Sequence, residues 1–205
     1  TTLGGDFYLS INENGVFING TTQITGATLA GEALDYDNGV VHLIDRTLVP
    51  ATDNIVNIAV AASQSAQDAE FGQLVAALTA VENDGTTDAL VTILSGEGPF
   101  TVFAPTDAAF QSLYTLAGVN DFNELAGAIG IATIEAVLKY HVLGARVFSS
   151  DIPNALNGGS SVALETLTGG SFTLNSDLTI TDTDAALGIG TSDASIIDTD
   201  IFGTN

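Results

Sequence analysis

At about 150 residues per domain, 205 residues amount to roughly 1.4 domains, a fraction that asks for an explanation. The chain is 45% hydrophobic with mean hydropathy +0.36, enough apolar material for a packed core. Twenty-five acids against three bases, Arg46, Lys139 and Arg146, give a net charge of −22. That excludes a nucleic-acid binder, which needs clustered Lys and Arg against phosphates, and a polybasic patch on an anionic membrane. Disorder requires low hydrophobicity as well as high charge, so the chain reads as a folded domain with an acidic surface that suits high salt. Without cysteine there are neither disulfides nor a thiolate metal site. No apolar run reaches the ~18 residues of a membrane-spanning helix. A chain opening at Thr1, with no initiator methionine or signal peptide, reads as processed or as a piece of something longer.

Residues 1–50 alternate and carry turn signals. Asp6–Ile11, Val16–Ile18 and Thr21–Thr25 are predicted strands, separated by Glu13-Asn14-Gly15 and Asn19-Gly20. The apolar run Val40-Val41-His42-Leu43-Ile44 reads as a buried strand with a structural His42, and Pro50 ends the region. Residues 51–143 change to helical spacing. Asp53 caps a helix over Ile55–Ala62; Phe71, Leu74, Val75 and Leu78 mark a second; Leu90, Ile93 and Leu94 a third. A short strand, Phe100–Phe103, precedes a helix begun by Pro105-Thr106-Asp107 that buries Phe110, Leu113 and Tyr114. Ile134, Val137, Leu138 and His141 mark the last helix. Residues 145–205 return to short strands at Arg146–Ser149, Ser161–Leu167, Ser171–Leu174, Leu178–Thr181 and Ala194–Asp198. Strands, then helices, then strands make an α+β arrangement.

An internal repeat accounts for the fraction. Thr2-Leu3-Gly4-Gly5-Asp6-Phe7-Tyr8-Leu9 resembles Thr166-Leu167-Thr168-Gly169-Gly170-Ser171-Phe172-Thr173-Leu174, and Asn38 pairs with Asn205. The first copy continues past Asn38 into the strand Val40–Ile44, whereas the second reaches Asn205 where that strand would begin. The second copy is therefore expected to be one strand short, with an edge open to strand addition.

Gly98-Pro99-Phe100-Thr101-Val102-Phe103-Ala104-Pro105-Thr106-Asp107-Ala108-Ala109-Phe110 closely resembles the first signature of the fasciclin domain. Tyr140-His141-Val142-Leu143, followed by Arg146-Val147-Phe148 and Asp151-Ile152, resembles the second. Asn38–Asp45 with Leu48-Val49-Pro50 is similar to the strand that ends such a domain, and Asn54-Ile55-Val56 to its opening helix. The resemblance divides the chain into 1–50, the C-terminal β part of a preceding repeat, and 54–205, a fasciclin-like domain lacking its last strand. It implies a β-wedge packed with short helices, and an adhesion or matrix role on secreted or surface-anchored proteins, without catalysis. It also implies adhesive positions at Tyr140 and His141 and at the pair Asp200-Ile201. For each the structural alternative is a buried histidine or a solvated turn acid beside a core isoleucine.

Thr106 and Asp107 read as an N-cap and a first-turn carboxylate. The pairs Asp182/Asp184 and Asp198/Asp200 sit two apart, a spacing that admits weak Ca²⁺ binding without the glycine and distal Glu of a dedicated loop. Asn19-Gly20-Thr21 fits a glycosylation sequon. Catalysis fails on inventory: no cysteine nucleophile, no His-rich metal set, no phosphate loop and no G-x-S-x-G elbow. The expectation is therefore an extracellular or cell-surface adhesion or matrix module without cofactor, whose partners are other copies or neighbouring repeats, a receptor or a glycan. A polysaccharide- or small-ligand-binding module is the alternative. Val40, Val41, His42, Leu43 and Ile44 form the strand-exchange segment. Three arrangements follow: the missing last strand was lost when the chain was cut from a tandem array, or Val40–Ile44 folds back on its own following domain, or Val40–Ile44 completes a neighbouring chain in a filament.

Overall fold

The amino-terminal strands are set by short turns. Asn12 Oδ1 accepts from Asn14 N–H at 2.7 Å, closing the tight turn that joins β1 (Leu9–Asn12) to β2 (Gly15–Ile18). A second turn at Asn19-Gly20 leads to β3 (Thr22–Gln23), so the three strands form an antiparallel meander. A hairpin of β4 (Leu34–Tyr36) and β5 (Gly39–Val41) follows, and a single bridge joins Ile44 to Ile24 beyond it. This computed structural model describes residues 6–24, 34–36, 39–66, 69–85, 90–156, 158–182 and 194–199.

The helical half runs α1 (Ile55–Ser63), α2 (Gly72–Asp84), α3 (Leu90–Ser95), α4 (Asp107–Ala117), α5 (Phe122–Ile129) and α6 (Ile131–Tyr140). Between α3 and α4, β6 (Thr101–Val102) pairs antiparallel with β7 (Val142–Leu143), which follows α6. The core lies here. α2 touches the other five helices and buries Leu74, Ala77, Leu78 and Val81 against Leu90, Phe110, Tyr114, Leu125, Ile134 and Leu138. Gly85 and Gly118 follow α2 and α4 in the left-handed conformation that ends a helix at little cost only for glycine. A 3₁₀ turn (Ser149–Asp151) and α7 (Ile152–Leu156) lead into a second antiparallel sheet: β8 (Ser161–Glu165), β9 (Ser171–Asn175), β10 (Thr179–Thr181) and β11 (Ala194–Ser195), in the order β11-β10-β9-β8. The α+β class stands.

Several expectations are corrected. Val40–Ile44 is not a buried strand: the paired segment is Gly39–Val41, and Val41, His42, Leu43 and Ile44 are exposed, with no layer over them among the described residues. The cap of α1 is Asn54, whose side chain accepts from Asn57 N–H at 2.8 Å, rather than Asp53. Arg146–Ser149 is not a strand. Val147 N–H donates to Thr101 Oγ1 and Phe148 N–H to Asp151 Oδ2, so side chains take the donors a sheet ladder would need. α5 was not foreseen, although Asp121 caps it by accepting from Glu124 N–H.

Candidate functional site

The first signature works as a clamp between helices. Thr106 caps α4, its hydroxyl accepting from Ala109 N–H at 3.1 Å. Asp107 opens α4, but its carboxylate reaches across to α2, accepting from Gly72 N–H at 3.2 Å and Gln73 N–H at 2.7 Å. Glu70 in turn accepts from Asp107 N–H at 2.5 Å. The clamp spans Phe71, whose φ of 68° places a bulky side chain in the left-handed region, a strain that two carboxylates on flanking amides hold in place. Tyr114 donates to Gln73 Oε1 at 2.7 Å; burial, then the charges of Asp121 and Asp107, pushes its hydroxyl above the usual range.

The Tyr140-His141 pair ends α6. Tyr140 Oη lies 2.8 Å from both the Ser171 carbonyl and Asp182 Oδ1, which share its proton, and its ring meets Phe172 edge-on at 6.0 Å. His141 Nδ1 is 2.7 Å from the Val137 carbonyl, the geometry of an Nδ1–H donor. Burial pushes the imidazole below its ordinary pKa, against the opposite pull of the Val137 carbonyl and Asp182. Asp182, first considered as half of a cation pair, thus accepts from Tyr140; Asp184, Asp200 and Ile201 lie outside the described residues. Among the described residues no three His, Asp or Glu side chains gather as a metal set.

The amino-terminal meander docks on the second signature. Asn12 Nδ2 donates to the Ser150 carbonyl at 2.7 Å, the Arg146 guanidinium lies 3.7 Å over the Tyr8 ring, and Tyr8 stands 6.4 Å from Phe148. No local signal in the sequence announces this junction, since its partners are some 140 residues apart. With Lys139 on Glu135 at 2.7 Å and Arg46 beside Asp45, each of the three bases has a partner. A groove of about 500 Å³ runs beside the junction, lined by Tyr8, Asn54, Arg146 and the loop Ser95–Pro99. Arg146 already occupies one face of its tyrosine.

The two meanders match strand for strand. Leu9 pairs with Ile18 as Leu174 pairs with Ile180, and Ile18 with Thr22 as Ile180 with Ala194. Ile24 N–H donates to Val16 O as Ile196 N–H donates to Leu178 O. On the amino-terminal side Ile24 carries Ile44 on its outer edge, and Asp45 N–H donates to Gln23 O at 3.2 Å. Among the described residues no strand lies on the outer edge of β11.

The fasciclin domain family profile matches residues 70–205, two thirds of the chain. The chain belongs to the fasciclin domain family, whose members are in general non-enzymatic adhesion modules of the cell surface and matrix. It is also similar to an uncharacterized protein of Synechocystis sp. strain PCC 6803, with 38% identity over 104 residues, 48% of this chain and 60% of that protein. The chain thus spans less than two thirds of that relative. Among the described residues no helix is long and apolar enough to cross a membrane.

Proposed function

We propose that this chain is an extracellular or cell-surface adhesion or matrix module of a tandem or polymeric protein. Copies of it join head to tail when residues 39–45 of one add to the outer edge of β11 in the next. Residues 1–50 are then the β part of a preceding unit and 54–205 the following unit. The observation that carries this is the shared register of the two meanders: Ile44 sits on Ile24, and the corresponding edge at Ile196 is open among the described residues. Beyond its hairpin with β4, the donor is tied to the amino-terminal meander by the Ile24–Ile44 bridge, the Asp45 N–H on Gln23 O and the Asp45 carboxylate on Gln23 N–H. Val41, Leu43 and Ile44 are exposed at home, so transfer is favoured by whatever cover the receiving unit gives them. The receptor-contact reading of Tyr140, His141, Asp200 and Ile201 draws less support, because the Tyr140 hydroxyl and His141 Nδ1 are taken up internally.

Site-directed cross-linking tests the exchange. The chain lacks cysteine, so Ile44→Cys with Ile196→Cys introduces only these two thiols, which a strand pair would hold at disulfide distance. Mild oxidation is expected to give a ladder of covalent oligomers. A disulfide within one chain would mean that the strand folds back on its own domain, and no disulfide would remove the proposed edge altogether.

A further inference from the structure

The same correspondence of strands exposes a second uncovered surface, independent of strand addition. Leu9 matches Leu174 in sequence and in sheet position, and Phe7 matches Phe172 in sequence, yet their surroundings are opposite. Phe172 and Leu174 are 4% and 1% exposed, roofed by the helical half through Phe103, whose ring meets Phe172 edge-on at 5.0 Å, and through Tyr140. Phe7 and Leu9 are 42% and 56% exposed, with Ile11 beside them at 66%. Between them Ser10 is buried, so β1 turns its polar residue inward and its apolar residues to solvent. β9 is also flanked by β8, with Leu164 opposite Phe172 and Val162 opposite Leu174, whereas β1 pairs in its sheet with β2 alone among the described residues.

We infer that the Phe7-Leu9-Ile11 face is a docking surface for the helical layer of another fasciclin unit, with its β8-type strand, delivered from the amino-terminal side on the same polypeptide. The occupant is specified by what covers the matching residues in this chain: an apolar layer with an aromatic at the position of Phe103 and another at that of Tyr140. A second copy of this chain is a poor occupant, because its own layer is already covered by β8 and β9. The inference rests on the proposed reading of residues 1–50 as the β part of a preceding unit, and not on the exchange of residues 39–45, so either can fail alone.

The test places residues 54–165 of this chain ahead of residue 1 of the full chain, which keeps the spacing of the repeat. Two readouts are taken against the unextended chain: helical circular dichroism, and hydrogen exchange at the amides of residues 7–12. The added stretch is expected to fold, with helical signal rising in proportion, and to slow exchange in β1 by about tenfold or more. Leu9→Asp in the extended chain is expected to undo both changes, while in the unextended chain it leaves the helical signal unaltered. An added stretch that stays unfolded, or folds without protecting β1, overturns the inference. So does an unextended chain that forms dimers abolished by Leu9→Asp, which would assign the face to a second copy.

Discussion

Asp107 ties together two helices whose sequences say nothing of each other. Its carboxylate meets the amide donors at the start of α2, where the helix dipole also favours negative charge. Asp107→Ala is expected to cost about 1–2 kcal/mol in urea unfolding, the range of a lost N-cap. Asn54→Ala should cost about 1 kcal/mol, whereas exposed Asp53→Ala stays within about 0.5 kcal/mol. His141 supplies a pH test. Its folded pKa lies below its unfolded value of about 6.5, so its neutral form is the one the fold favours. The contribution is complete above that value and is lost as pH falls toward the folded pKa, with a slope of at most about 1.4 kcal/mol per pH unit. Denaturant midpoints of His141→Asn should therefore fall less between pH 7 and pH 5 than those of the parent chain. Thr106 was legible as a cap because proline, threonine and acid before an apolar helix have a local meaning. The destination of Asp107 was not, since it is fixed by packing between segments 35 residues apart.

Among the elements, the helices were the most legible, because α2, α4 and α6 repeat apolar residues at helical spacing. α5 carries the same signals, with Asp121 ahead of Phe122, Leu125 and Ile129, yet the sequence reading placed no helix there. The strand expected at Val40–Ile44 failed for a physical reason: a continuous apolar run implies burial only where another layer arrives to cover it. The junction of the meander with Arg146, Phe148 and Ser150 gives an element-level prediction. Arg146→Ala and Asn12→Ala each remove a contact worth about 1 kcal/mol. Both should speed hydrogen exchange in β1 and β2 while leaving α2 protected. Leu90→Ala, deep in the helical core, is expected to cost about 2–5 kcal/mol and to lower protection across the helices instead.

At the scale of the whole molecule, the charge of −22 sets the conditions under which copies can meet. Two such surfaces repel at low ionic strength, and screening shortens the repulsion to about 10 Å near 0.1 M salt. Association is therefore expected to strengthen as salt rises, opposite to the behaviour of a complex held by ion pairs; sedimentation at two salt concentrations would register the sign. The matching meanders supply the geometry: an occupied edge at Ile24 and an open one at Ile196 on one chain give a heterologous contact that propagates rather than closes. The most direct measurement is the molar mass of the purified chain by light scattering in moderate salt, over about a hundredfold dilution. Open-ended assemblies that grow with concentration, and that vanish on deleting residues 39–50 while the helical signal persists, are the predicted result. A species of 20.9 kDa at every concentration would contradict it.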